Sequence, residues 1–177
     1  MNLEAQVETL KTAIRDVPDF PKPGIVFKDI TTLLQDAVLF RRTVDLLVVL
    51  AGDRPVDRIV AIESRGFLLG GALAHRLGAG LVLVRKPGKL PWKTVSASYE
   101  LEYGTDSVEI HEDALAAGDR VLDVDDVIAT GVTARAVGEL TEGLGATISA
   151  YLVLAELTFL NGRKQLPGQE ILSLIRY

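Results

Sequence analysis

The sequence predicts an α/β fold with a central, mostly parallel sheet flanked by helices. Short apolar runs rich in β-branched residues alternate with helical patterns, and this alternation is typical of parallel strands joined by crossover helices. The strand-like runs are Arg58–Ile62, Leu81–Val84, Val121–Val124 and Ala146–Leu157, and the helix-like segments are Gly66–Leu77 and Thr133–Leu144. The 177 residues contain no internal repeat and no linker, so one domain over residues 1–177 is expected.

Two regions depart from the strand–helix alternation. Near the start, apolar residues at helical spacing predict an opening helix over residues 3–14, and a second helix is predicted over Ala37–Ala51. The prolines of Asp19–Gly24 cannot continue a helix, because proline fixes φ and lacks an amide donor. Between Lys86 and His111, a polar loop and alternating residues predict an antiparallel hairpin added to the parallel core.

The composition excludes several classes of site. The chain has no cysteine, which excludes disulfides, thiolate zinc sites and cysteine nucleophiles. Its net charge of -5 argues against a basic nucleic-acid surface, and its longest apolar run, Val44–Ala51, is too short to span a membrane. It has two distant histidines and lacks a P-loop, a dinucleotide fingerprint and a serine-hydrolase motif. A soluble, cytoplasmic protein is expected, without nucleic acid or a membrane as partner.

The segment Val121–Thr133, VLDVDDVIATGVT, carries the most chemical information. A buried strand leads into two carboxylates, Asp125 and Asp126, and then into a turn of small residues before a helix. Ligands of open parallel sheets bind beyond the carboxyl ends of the strands, and the free amides of a helix N-terminus suit a phosphate. The carboxylates suit the hydroxyls of a sugar, or a magnesium ion reached through water. If the sequence had only the two adjacent aspartates or only the turn Thr130–Thr133, an acidic loop without a ligand would be the better interpretation.

The whole segment resembles the phosphoribosyl-pyrophosphate loop of the type I phosphoribosyltransferases. The resemblance implies the fold of that family, with a small hood and a flexible catalytic loop, and a magnesium ion carried by the substrate rather than ligated directly by the protein. It implies that Asp125 and Asp126 hold the ribose 2′- and 3′-hydroxyls. The implied contacts to the 5′-phosphate come from the turn, which consists of Ala129, Thr130, Gly131, Val132 and Thr133.

Two residues of this segment depart from the family pattern. Val132 stands where a second glycine is common, and Asp123 stands where an apolar residue is usual. Because an unpaired buried carboxylate is costly, Asp123 must find a partner, lie near water or be protonated.

Two further segments resemble adenine phosphoribosyltransferases in particular. Asp19–Thr31, DFPKPGIVFKDIT, resembles the base-binding segment, part of a hood at about residues 17–32. In that family adenine packs on apolar side chains and main-chain groups read its edge, which implies these roles for Val26, Phe27 and Lys28. Ala61–Phe67, AIESRGF, resembles the pyrophosphate loop. The implied contacts to the leaving group come from Glu63, Ser64 and Arg65, and a planar guanidinium suits that task.

A basic segment and a hairpin extend the resemblance. Arg85–Pro91, RKPGKLP, is equally well explained as a solvated loop, but beside a pyrophosphate site its cations would clamp the leaving group. These cations are Arg85, Lys86 and Lys89. A flexible loop of about residues 86–98 would close the site. Ser96–Asp113 resembles the catalytic hood, which implies proton handling by Glu102 and substrate binding by Tyr103. Glu156–Gly162, ELTFLNG, matches the family's C-terminal strand and turn.

The resemblance implies that adenine and phosphoribosyl pyrophosphate react to give AMP and pyrophosphate, a step of purine salvage, with Mg²⁺ as cofactor and a homodimer as the assembly. The implied catalytic residues are Arg65, Glu102, Asp125 and Asp126. Three alternatives stay open. The base could be hypoxanthine, guanine, xanthine or orotate; the chain could sense phosphoribosyl pyrophosphate without turnover; or Asp123 or Val132 could impair catalysis.

Overall fold

The computed structural model describes residues 2–101, without the side chain of Leu101, and residues 104–177. The chain forms two compact units, Met1–Leu46 and Leu47–Tyr177. A single domain over the whole chain therefore stays a prediction. Within the described residues, none of the helices combines the length and the apolar character that crossing a membrane requires.

The first unit contains helices and a small antiparallel sheet. Its elements are α1 (Leu3–Ala13), β1 (Arg15–Pro18), β2 (Val26–Asp29), α2 (Thr31–Leu34) and the start of α3 (Ala37–Ala51). The side chain of Asn2 caps α1 by accepting a hydrogen bond from the Ala5 amide at 2.8 Å. The proline-rich segment connects β1 to β2, which pair antiparallel with Val17 opposite Phe27. The predicted helices over residues 3–14 and 37–51 are confirmed.

A five-stranded parallel sheet forms the centre of the second unit. The strands of this unit are β3 (Arg58–Ile62), β4 (Gly80–Val84), β5 (Thr94–Leu101), β6 (Gly104–His111), β7 (Arg120–Ile128), β8 (Thr147–Glu156) and β9 (Ile171–Arg176). The sheet has the order β4–β3–β7–β8–β9, and every neighbouring pair is parallel. The predicted parallel core is confirmed.

Helices cover both faces of this sheet. They are α4 (Gly66–Leu77) and α5 (Val132–Gly143). A Cβ atom at Gly70 of α4 would lie 2.5 Å from the Cβ of Ala61, so glycine permits a close approach of α4 to β3. Val60 points to the other face, where it shares an apolar core with Val137 of α5 and Ile110 of β6. Because successive side chains of a strand point to opposite faces, β3 must be apolar nearly throughout.

The predicted antiparallel hairpin is confirmed as the pair β5–β6. Because β5 begins at Thr94, residues 94–98 of the predicted flexible loop belong to a strand. Closure of residues 86–98 over a substrate stays a prediction.

Strand β7 is longer than the sequence pattern predicts, and its length corrects the placement of two carboxylates. Asp125 and Asp126 were expected to follow the strand, but β7 continues to Ile128. The reason is that β8 goes on pairing with β7 as far as Ile128, whereas β3 pairs with it only as far as Val124. Asp125 and Asp126 are therefore the first residues of β7 beyond the end of its pairing with β3.

Candidate active site

The turn between β7 and α5 has the geometry of an anion site. Gly131 occupies the N-cap position of α5 with a φ of 82°, a conformation that favours glycine. Because glycine has no side chain that could accept hydrogen bonds from the first amides of the helix, those amides are available to a ligand. Thr130 is exposed and Thr133 is half-buried, and both carry a hydroxyl that can donate a hydrogen bond. Together with Asp125 and Ala129, these residues line a cleft of about 90 Å³.

The turn packs against Gly162, a glycine that was not predicted to be a site residue. A Cβ atom on Gly131 would lie 2.3 Å from the carbonyl oxygen of Gly162, and a Cβ atom on Gly162 would lie 2.5 Å from the carbonyl oxygen of Ala129. Both positions therefore require glycine, since the two backbones touch. The only sequence signal was that Gly162 ends the ELTFLNG segment.

The two carboxylates of β7 differ in their surroundings. Asp126 is 5% exposed and accepts a hydrogen bond from Nε of Arg65, which stands at the N-cap of α4. Asp125 is half-buried, and its Oδ1 accepts a hydrogen bond from the Asp126 amide at 2.8 Å. Burial, and then the charge of Asp126, raises the pKa of Asp125 well above its ordinary value. Three of the predicted catalytic residues, Arg65, Asp125 and Asp126, are thus brought together.

The residue that departed from the family pattern, Asp123, is buried in the centre of the sheet. It is 2% exposed and lies opposite Val60 of β3 and Tyr151 of β8. Its Oδ2 atom has no hydrogen-bond partner among the residues that the structure describes. Burial raises the pKa of Asp123 well above its ordinary value, so of the three expected outcomes the structure favours protonation.

The predicted pyrophosphate cations gather around Glu63, at the carboxyl end of β3. The carboxylate of Glu63 accepts hydrogen bonds from Nζ of Lys89 at 2.6 Å, from the amide of Lys86 at 3.0 Å and from Nε of Arg85 at 3.2 Å. Although burial opposes the shift, these three donors lower the pKa of Glu63. Ser64 is exposed between Glu63 and Arg65.

The side chain of Lys86 is engaged by the hairpin. Its Nζ contacts the carboxylate of Asp106 and donates a hydrogen bond to the hydroxyl of Tyr99 at 3.0 Å. Although burial opposes the shift, these partners raise the pKa of Lys86. Asp106 was not predicted to have a role, and its separation from Lys86 along the chain offers no local signal for the pair. We call Glu63, Arg85, Lys86, Lys89 and Asp106 the cation cluster.

The predicted base-binding residues lie in the first unit. Val26, Phe27 and Lys28 form most of β2, and the rings of Phe27 and Phe20 meet edge to face with centroids 5.2 Å apart. Val26 and Phe20 are exposed, and Nζ of Lys28 contacts Asp16 of β1 at 2.5 Å. Exposed apolar side chains beside a strand suit the stacking of a flat base.

Glu102 and Tyr103, predicted to act near the reacting base, lie outside the described residues. Their roles stay predictions. The described residues on either side of them belong to β5 and β6.

Comparison with known proteins gives concordant matches. Residues 48–165 match the family model of the phosphoribosyl transferase domain. The chain is 57% identical over 171 residues to an adenine phosphoribosyltransferase of Geobacter metallireducens. The aligned residues cover 97% of this chain and 100% of that protein. The crystal structure of adenine phosphoribosyltransferase from Thermoanaerobacter pseudethanolicus matches with a TM-score of 0.95 and 54% identity, over 97% of this chain and 99% of that one. The Saccharomyces cerevisiae enzyme, complexed with adenine and an imino-altritol bisphosphate, matches with a TM-score of 0.91 and 42% identity, over 97% and 99% of the two chains.

Proposed function

Because this chain belongs to the adenine phosphoribosyltransferase family, we propose that it transfers the phosphoribosyl group of phosphoribosyl pyrophosphate to adenine. The bond from the anomeric carbon to the pyrophosphate oxygen breaks, a bond to N9 of adenine forms, and N9 loses its proton. The products are AMP and pyrophosphate, as in purine salvage. The observation that carries this proposal is the pair of carboxylates that leads into an uncapped helix N-terminus at the end of β7.

In this proposal the 5′-phosphate binds the turn Ala129–Thr133, which we call the phosphate loop. Amides at a helix N-terminus present partial positive charge, so they bind a phosphate without a cation. The hydroxyls of Thr130 and Thr133 add donors, and Gly131 permits the left-handed backbone at the start of α5 and its close contact with Gly162. Val132 contributes its amide, which every residue except proline has, so a second glycine is not needed for this contact.

The ribose hydroxyls are assigned to Asp125 and Asp126, and the leaving group to Arg65 and the cation cluster. Charge builds on pyrophosphate as its bond to the anomeric carbon breaks, and cations fixed beside it stabilise that charge. A magnesium ion would arrive with the substrate and add to the neutralisation of pyrophosphate. Asp125 and Asp126 would reach such an ion through water rather than ligate it directly, because Mg²⁺ commonly keeps several of its waters.

The adenine ring is assigned to the exposed apolar side chains of the β2 region, with main-chain groups of Val26, Phe27 and Lys28 reading its edge. Adenine offers a donor and an acceptor side by side, which is what a strand edge can pair with. Glu102 is assigned to the proton lost from N9, and Tyr103 to contact with the substrate. A general base near a reacting nitrogen contributes typically about 10²–10⁴-fold to a rate.

A homodimer in the cytoplasm is the assembly and location that we expect. β4 is the outermost strand of the sheet, and its side chains Leu81 and Leu83 are exposed, as is Leu68 of α4. Sheet edges with exposed apolar side chains are stabilised when a second chain covers them. This supports association through β4 and α4.

The test is an assay of the purified protein with Mg²⁺ and phosphoribosyl pyrophosphate, in which adenine, hypoxanthine, guanine, xanthine and orotate are offered in parallel. We expect AMP from adenine and little product from the other bases. Product from another base would leave the phosphate loop standing but contradict the assignment of Val26–Lys28. Saturable binding of phosphoribosyl pyrophosphate without any product would indicate a sensor or an impaired enzyme.

A further inference from the structure

A buried carboxylate at the end of β8 organises the turn that follows it. Glu156 is 3% exposed, and its two oxygens accept hydrogen bonds from Nε and Nη2 of Arg163 at 2.6 and 2.7 Å. The hydroxyl of Ser173 donates at 2.6 Å, and Nε of Arg176 lies 3.3 Å away. The hydrogen bonds from Arg163 lower the pKa of Glu156 more than burial raises it. A forked arginine–carboxylate pair of this kind fixes orientation as well as charge.

The turn held by Glu156 and Arg163 touches the phosphate loop. Gly162, which precedes Arg163, is buried against Ala129 and Gly131, and its own Cβ atom would lie 2.5 Å from the Ala129 carbonyl oxygen. The amide of Leu157, which follows Glu156, donates to the carbonyl oxygen of Ile128 at 2.9 Å. The turn therefore contacts the phosphate loop through Gly162, and through Leu157 it contacts the last residue of β7, directly before the loop.

We propose that Glu156 and Arg163 are positioning residues for the phosphate loop. The ion pair of Arg163 with Glu156 fixes the chain directly after Gly162. The Gly162 backbone is therefore held in contact with Ala129 and Gly131. This contact keeps the loop in the conformation that directs its amides at the 5′-phosphate. The inference rests on the proposed phosphate-binding role of the loop, and it names the residues that preserve the loop's shape.

A second forked arginine–carboxylate pair provides a control for the loss of an ion pair. Arg120 forms another forked pair in the same unit, with Nε and Nη2 each 2.8 Å from the carboxylate of Asp57. The side chains of Arg120 and Arg163 are similarly exposed, at 48% and 41%, but that of Asp57 is 34% exposed and that of Glu156 only 4%. Pyrophosphate binding is therefore needed as a second control for a general loss of stability. Arg120 begins β7, at the end of the strand opposite to the phosphate loop. Either arginine substitution removes an ion pair, but only Arg163 is adjacent to a residue, Gly162, that contacts the phosphate loop.

The experiment measures dissociation constants by calorimetry for ribose 5-phosphate, which carries the 5′-phosphate, and for pyrophosphate, which lacks it. For Arg163→Met we expect the constant for ribose 5-phosphate to rise about tenfold or more, because small displacements of binding groups have large effects. The constant for pyrophosphate should stay unchanged. For Arg120→Met both constants should stay as in the unmodified protein. Arg163→Lys keeps the charge but not the forked geometry, so its dissociation constant for ribose 5-phosphate should lie between those of the unmodified protein and Arg163→Met.

A second variant keeps the test open if Arg163→Met fails to fold. Gly162 has no positive φ, so Gly162→Ala introduces no backbone strain and acts through the contacts of its new methyl group. These contacts are with the Ala129 carbonyl oxygen at 2.5 Å, Cγ2 of Ile128 at 2.8 Å and the Gly131 amide nitrogen at 3.1 Å. It should weaken ribose 5-phosphate binding at least as much as Arg163→Met. Equal effects of Arg163→Met and Arg120→Met on ribose 5-phosphate would overturn the positioning role.

The phosphate loop is tested separately by a direct change. Thr133→Val removes a proposed phosphate donor with little change of volume, and it should raise the constant for ribose 5-phosphate by several-fold, about the effect of one hydrogen bond. If Thr133→Val weakens binding and Gly162→Ala does not, the loop assignment stands and the positioning role falls. If none of these variants affects ribose 5-phosphate, the loop assignment itself is wrong.

Discussion

The phosphate loop and the cation cluster would both bind phosphate oxygens, but they are built in opposite ways. The phosphate loop, Ala129–Thr133, contains no charged side chain and offers backbone amides held in place by Gly162. In the cation cluster each cation already contacts a carboxylate: Arg85 and Lys89 contact Glu63, and Lys86 contacts Asp106. One region is fixed before a ligand arrives, whereas the other must exchange partners.

This difference indicates that the two regions suit different ends of the substrate. A fixed set of amides loses little conformational entropy on binding, so it suits a group that stays in the same place throughout the reaction, as the 5′-phosphate does. Paired cations can move from a carboxylate to a phosphate and back, which suits a leaving group that must be released.

The largest effect is expected where the phosphate loop joins β7. In the variant with both Asp125→Asn and Asp126→Asn, turnover should fall by about 10²–10⁴-fold, since two hydrogen bonds to charged groups contribute about 1.5–3 kcal/mol each. The fold should stay intact, because asparagine has the size of aspartate and keeps a side-chain oxygen that can accept the hydrogen bond from Arg65 at position 126. Steady-state kinetics and circular dichroism measure the two outcomes. Normal turnover in this variant would contradict the assignment of the sugar hydroxyls.

The second effect compares two glycines with the same backbone conformation. Gly131 in the phosphate loop and Gly88 beside the cations have φ values of 82° and 76°, but only Gly131 is packed against backbone, whereas nothing described lies within 4 Å of a Cβ atom at Gly88. Gly88→Ala should reduce the free energy of unfolding by about 1–2 kcal/mol, the strain of a left-handed residue. Gly131→Ala should reduce the free energy of unfolding by the same strain and by about 1–3 kcal/mol more, because its methyl group would clash with Gly162. Urea unfolding measures both values, and equal losses would show that the phosphate loop is not held rigidly.

The sequence predicts local features of this contrast better than distant ones. The helices over Gly66–Leu77 and Ala37–Ala51 have their predicted bounds, because helical periodicity is a local signal. The end of β7 was wrong because pairing with β8, a distant segment, decides where the strand stops. The carboxylate pair and the turn were identified in order along one segment. The contact of Gly162 with Gly131 and the pairing of Lys86 with Asp106 join segments far apart in the chain, and no local pattern predicts them.

The third effect concerns the buried carboxyl of Asp123, which lies in the strand that leads to the phosphate loop. Because its pKa is raised in the folded protein, the folded state keeps a proton that the unfolded chain loses above the ordinary value of 3.8. Its contribution to stability is therefore complete below that value and is lost as the pH rises toward the folded pKa. Asp123→Asn should remove a slope of about 1.4 kcal/mol per pH unit from the free energy of unfolding over this interval.

Urea unfolding at a series of pH values rising from 3.8 measures this slope. Asp53→Asn makes the same chemical change at an exposed position and should leave the slope as it is. Carboxylates of the cation cluster act in the opposite sense: the pKa values of Glu63 and Asp106 are lowered, so their contribution is present at neutral pH and is lost as the pH falls. An unchanged slope in Asp123→Asn would mean that Asp123 is ionised in the folded protein.

The smallest effect is expected within the cation cluster. With three cations and two carboxylates, its side chains sum to a charge of +1, from +3 and -2, and Glu63→Gln would raise the sum to +2. If Glu63 competes with the leaving group for Arg85 and Lys89, this change should tighten pyrophosphate binding by several-fold at low salt, and added salt should diminish the gain. Asp57→Asn, which frees Arg120 at the other end of the sheet, should leave pyrophosphate binding unchanged. Weaker pyrophosphate binding in Glu63→Gln would contradict this interpretation. It would mean that Glu63 orients the cations for the ligand, so that the cation cluster is as preorganised as the phosphate loop.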